Sequence, residues 1–109
     1  MKKPISLTGK QKRHLRALAH HLKPVVIIGS DRITPGLIKK VDTELTAHEL
    51  IKIRITGGDR EDLAEAEDVL CSKTRAAHVQ SIGYTLVLYR PHPEQPTIRL
   101  PRRGSSRNG

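Results

Sequence analysis

The chain contains no tryptophan and no phenylalanine, and its only aromatic residues are Tyr84 and Tyr89. A core must therefore be assembled from Leu, Ile and Val, and an RNA-stacking platform built on several aromatics is excluded. Cysteine occurs once, at Cys71, which rules out an internal disulfide framework and a cysteine metal site. No apolar run approaches the about 18 residues that a membrane-spanning helix needs. The N-terminal lysines are not followed by an apolar stretch, so they do not read as a signal peptide. The setting expected from these absences is cytoplasmic, with no membrane partner.

Acidic residues are the other scarcity. Eleven Asp and Glu stand against twenty Lys and Arg, for a net charge of +9 over 109 residues. In a chain the size of one domain, that imbalance points to a polyanionic partner. The charges are also segregated. Residues 1–32 hold eight Lys/Arg and one acid, Asp31, whereas residues 59–68 hold six acids and one base, Arg60. One basic face and one acidic face are expected, with the acidic helix turned away from any nucleic acid.

The order of elements follows from local signals. Thr8 and Gln11 have capping-box spacing, and a helix should run from there to about Leu22. Leu15, Leu18, Ala19 and Leu22 fall on one arc of that helix, and Lys12, Arg13, Arg16 and His20 on the neighbouring one. Val25–Ile28 is a short buried strand that Gly29 ends. Thr34 and Pro35 then open a second helix reaching Ala47–His48. A polar loop between a buried strand and a helix start directs backbone N–H groups and the positive end of the helix dipole at its occupant. Phosphate is one such occupant, and an ordinary unliganded connection is the other.

Glu49–Thr56 is the clearest alternation in the chain. Ile51, Ile53 and Ile55 should face the core, leaving Lys52 and Arg54 on a wet, basic side. Gly57–Gly58 breaks this strand, Asp59 and Asp62 form a second capping box, and a third helix continues towards Lys73 and Arg75. Ala77–Ile82 and Tyr84–Arg90 complete a hairpin turned at Gly83. The expected order is αβαβαββ: a four-stranded mixed sheet with three helices, in an α+β sandwich. Residues 1–101 are expected to form one domain and 102–109 a basic flexible tail, with Thr97–Leu100 lying along the domain.

The six histidines do not make a convincing metal site, because His14, His20 and His21 diverge around the first helix. Neither a dinucleotide fingerprint nor a P-loop is present. Tyr89 is assigned to packing and Cys71 to an inert position. No cofactor, metal, small-molecule substrate or catalytic group is indicated.

The run KPVVIIGSDRITPGLIKKVDTELTAHELIKIRI, followed by IGYTLVLYRP, resembles the bacterial YhbY-type RNA-binding proteins, which are stand-alone CRM (chloroplast RNA splicing and ribosome maturation) domains. The similarity runs from about Leu7 to Leu100-Pro101. It implies a fold like the C-terminal domain of bacterial translation initiation factor three. It also implies association with the precursor of the large ribosomal subunit, and RNA binding without catalysis. A translation-factor-like or intron-binding role is the alternative, and a small nuclease or phosphotransferase is a remote one. The family's loop carries a KH-like G-x-x-G signature, whereas here Gly29-Ser30-Asp31-Arg32 places Arg32 at the second glycine. Arg32 can exchange close backbone approach for a guanidinium grip on phosphate. The residues expected to contact rRNA are Lys10, Lys12, Arg13, Arg16, Lys23, Gly29, Ser30, Asp31, Arg32, Lys52 and Arg54. Lys52 and Arg54 either extend the surface of the first helix or belong to another. A monomer is expected.

Overall fold

A computed structural model describes residues 6–29 and 33–101. The elements follow the expected order: α1 (Gly9–Ala19), β1 (Pro24–Ile28), α2 (Pro35–His48), β2 (Leu50–Ile55), α3 (Arg60–Thr74), β3 (Ala77–Ile82) and β4 (Thr85–Tyr89). The strands form one mixed sheet in the order β1-β2-β4-β3. β1 runs parallel to β2, and β4 is antiparallel to both its neighbours. The basic segment 102–109, expected as a tail, lies outside the described residues.

Both expected capping boxes are formed. Thr8 Oγ1 accepts from Gln11 N while Gln11 Oε1 accepts from Thr8 N. Asp59 and Asp62 exchange the same pair of bonds at the start of α3. Each box satisfies backbone N–H groups that a helix start otherwise leaves open. Thr34 caps α2, with Pro35 in its first turn.

One boundary differs by a turn. α1 ends at Ala19, not near Leu22, and Leu22 N donates to Ala19 O in a tightened final turn. Pro24 restricts the residue before it to extended backbone, which sets the helix end back from the strand.

The sheet is covered on both faces, unequally. On the first face, α2 and α3 pack over Val26, Ile28, Ile51, Ile53, Ile55, Leu86 and Leu88, with Val41, Leu45 and Leu70 contributed by the helices. On the second face, Leu15 and Ala19 of α1 meet Leu50, Val79, Val87 and Tyr89. Leu7, Ile98 and Leu100 close this smaller core from the side. The wet second face expected from the Lys52–Arg54 alternation is therefore dry where Leu50, Val79, Val87 and Tyr89 lie under α1. Helix α1 packs mainly across β2, β3 and β4.

The segment after β4 is held by one carboxylate. Glu49, 2 % exposed, lies between α2 and β2. It accepts hydrogen bonds from His92 N at 2.6 Å and Ile98 N at 2.8 Å, and from Thr97 N and Thr97 Oγ1 at 3.0 and 2.8 Å. Burial pushes its carboxyl up, but those donors outweigh the effect and hold it below the ordinary glutamate range. Its backbone sits at φ 67°, a conformation that persists only where surrounding contacts enforce it. The strap so anchored delivers Ile98 and Leu100 to the second core, and Pro101 O accepts from Gln11 Nε2 at 2.8 Å.

Candidate nucleic-acid interface

The second face is where the cations gather. Lys52 is in a row with Val87 of β4 and Gln80 of β3, and Arg54 is in a row with Ile27 of β1 and Thr85 of β4. The Lys52 row runs beneath the flank of α1. Arg16, Ala17, Ala19 and His20 of that helix enclose a groove with Lys52, Gln80 and Ile82. The Arg54 row lies past the helix, and its flanking side chains are open: Ile27 is 64 % exposed and Ile82 is 54 % exposed.

This arrangement answers whether Lys52 belongs with the first helix. Lys52 and Arg16 line one groove, although 36 positions separate them in the chain. Lys10, Arg13, Arg16, Lys23 and Arg54 are exposed and Lys52 is half-buried. None of these six side chains is ion-paired or hydrogen-bonded to another described residue. Their charge is therefore uncompensated at short range, and the field they sum to attracts a polyanion.

Lys12 behaves differently. It is half-buried at the other end of the α1 flank, in a depression shared with Glu67, Asp68 and His78. Of the basic residues on α1, Lys12 thus lies beside the acidic helix, whereas Arg13 and Arg16 do not line that depression. Cys71 borders the same depression; burial first, then Glu67 and Asp68, push its thiol up to about 12. A thiol so suppressed is a poor nucleophile.

Gly29 ends β1 and is exposed, and a Cβ there would meet nothing within 4 Å. Its conformation does not by itself demand glycine. Ser30, Asp31 and Arg32 lie outside the described residues. Arg90, a cation that sequence reading left without a role, has a structural one. Its guanidinium binds Asp42 Oδ1 and Asp42 O of α2, Thr46 Oγ1 of the same helix, and Thr74 O at the end of α3. It joins three elements on the first face.

Tyr89 is 2 % exposed and packs in the second core, as assigned. Among the described residues no group of three or more His, Cys, Asp or Glu is placed to hold a metal ion. Nor is any helix long and apolar enough to cross a membrane.

A partly uncovered sheet carrying exposed cations in an αβαβαββ frame suits a polyanionic ligand. The chain belongs to the CRS1/YhbY (CRM) domain family, whose model matches residues 7–90. It is 45 % identical over 98 residues to a Haemophilus influenzae RNA-binding protein, covering 90 % of this chain and 98 % of that one. It is 41 % identical over 95 residues to YqeI of Bacillus subtilis, named as an RNA-binding candidate, covering 87 % of this chain and 99 % of its relative. The fold matches the solution structure of a Staphylococcus aureus protein, also named as an RNA-binding candidate, with a TM-score of 0.76 and 42 % identity. That match covers 88 % of this chain and all of the other.

Proposed function

We propose that this protein binds structured rRNA of the large ribosomal subunit precursor and assists its assembly without catalysing a reaction. It would act as a cytoplasmic monomer. The groove in which Arg16 and His20 meet Lys52, continued by Arg54 on the open row, carries the reading. A polyanion laid across it meets cations from a helix and from a strand, with no acid among the described residues that line the groove. Family membership and the name of the Haemophilus influenzae relative support RNA as that polyanion. Phosphate contacts supply affinity and position but little sequence information.

The test is a binding titration with large-subunit rRNA fragments over a range of salt. Five to seven phosphate contacts should give a slope of log K against log salt of roughly −4 to −6. A slope near zero contradicts the mechanism. The Arg13→Glu, Arg16→Glu double variant should bind far more weakly yet unfold at nearly the wild-type temperature, since both side chains are exposed. In cells, the protein should migrate with large-subunit precursors on a sucrose gradient. Residence only at the top of the gradient argues against the ribosomal part of the reading.

A further inference from the structure

The Arg54 row carries more than charge. Across the four strands it reads Ile27, Arg54, Thr85, Ile82, each paired with the next. Their chain neighbours Val26, Ile28, Ile53, Ile55 and Leu86 all belong to the first core, which turns Ile27, Arg54 and Thr85 to the second face. Ile82 borders the groove of Arg16 and Lys52 on that same face. With neighbouring strands about 4.8 Å apart, the two isoleucines close the row at ends roughly 14 Å from each other. Both are more than half exposed. Arg54 is exposed between them and makes no hydrogen bond or ion pair with a described residue. A single exposed isoleucine needs no explanation; two in one row with an unpaired guanidinium between them form a stripe.

The make-up of the stripe selects its occupant. A phosphate gains from Arg54 but nothing from the isoleucines. A duplex offers phosphates and base edges, since its base faces are stacked inside. An unpaired strand offers charge and apolar base faces together, and single strands are held where a basic groove adjoins a surface that bases can lie on. Aromatic side chains usually supply that surface. Here Tyr89 is buried in the second core and contributes nothing to the row. The guanidinium plane of an arginine also takes a stacked base, and the isoleucines extend the apolar contact on either side. Charge argues against a polypeptide in this place. The adjoining groove adds Arg16 and Lys52, with no acid among the described residues that line it.

We propose that the Arg54 row binds unpaired bases of the RNA, one stacked on the Arg54 guanidinium and others packed on Ile27 and Ile82, while Arg16 and Lys52 hold the phosphates alongside. The inference rests on the RNA-binding reading above and adds the kind of segment taken: single-stranded nucleotides within the structured rRNA.

The experiment measures binding by fluorescence anisotropy, over a range of salt, to an RNA strand that cannot pair and to a blunt duplex of two strands half its length. The two probes carry nearly the same number of phosphates. Wild-type protein should prefer the single strand. The Ile27→Ser, Ile82→Ser double variant should lose about tenfold on the single strand, as lost apolar contact allows, and little on the duplex. Its slope of log K against log salt should stay that of wild type, because no charge has been removed. Arg54→Lys keeps the charge but not the plane, and should also lose on the single strand alone. Both isoleucines are exposed, so the double variant should melt at nearly the wild-type temperature. Equal wild-type affinity for the two probes, a double variant that keeps wild-type affinity for the single strand, or equal losses on both probes overturns base docking and leaves the phosphate reading standing. A wild-type dimer that the isoleucine substitutions dissolve while RNA affinity is unchanged assigns the row to a second copy of the chain, and likewise overturns it. Failure to bind these probes or any rRNA fragment overturns both readings.

Discussion

The two faces of the sheet are closed by different means. On the first, two helices of 14 and 15 residues span the strands, and Arg90 ties their ends to β4 through Asp42, Thr46 and Thr74. On the second, one helix of 11 residues covers the middle, a strap held by Glu49 closes one side, and the Arg54 row is left open. The first face is committed to stability. The second keeps an apolar cover under α1, and its cations Arg16, Lys52 and Arg54 have no partners among the described residues. Cations on the two faces accordingly differ in kind: the Arg90 guanidinium donates four hydrogen bonds, whereas those of Arg16 and Arg54 make none with described residues.

Breaking the first face should have the largest effect on stability. Leu45 is 0 % exposed at its centre, and Leu45→Ala is expected to cost about 3 kcal/mol through lost burial and the cavity left behind. Denaturant unfolding measures this, and RNA affinity of the molecules that remain folded should be unchanged. An altered affinity would couple the two faces.

The strap comes next. Glu49→Ala leaves buried donors from the segment 92–98 unsatisfied and should destabilise by roughly 2 kcal/mol. Because the folded-state carboxyl is held below 4.5, its stabilisation is present above that pH and fades as pH falls through the lowered value. Glu49→Gln, which cannot titrate, should therefore show a flatter loss of melting temperature below pH 4.5 than wild type. Identical acid limbs would show that the carboxylate charge is not what holds the strap.

Smaller effects separate the cations of α1. Lys12→Glu should weaken RNA binding less than Arg16→Glu, since Lys12 shares its surroundings with Glu67 and Asp68. Arg32→Gly, which restores the family's second loop glycine, should weaken binding a few-fold if the guanidinium grips phosphate. Unchanged or tighter binding would assign the grip to the loop backbone.

Much of this was legible in the sequence because the signals are local. The Thr8–Gln11 and Asp59–Asp62 boxes mark helix starts, and the Ile51-Lys52-Ile53-Arg54-Ile55 alternation declares a strand with two unlike faces. The rest depends on sheet order. Lys52 meets Arg16 only because α1 packs across β2, β4 and β3, an outcome that no spacing in the chain encodes. Glu49 read as the first residue of a strand; its carboxylate acquires a purpose only when the segment 43 to 49 residues later folds back onto it. The cavity lined by Ile28, Ile55 and Ala66 joins the ends of two strands to the third helix, and the local hint was the Gly57–Gly58 break beside it.

The central claim is that the open side of the second face, not charge at large, holds RNA. Two double charge reversals of equal size test it on one rRNA fragment: Arg16→Glu with Arg54→Glu on that side, and Lys39→Glu with Lys40→Glu on exposed positions of α2. Counterion release predicts a loss of roughly a hundredfold for the first pair, and the second pair should lose about threefold or less. Equal losses for the two pairs would contradict the account.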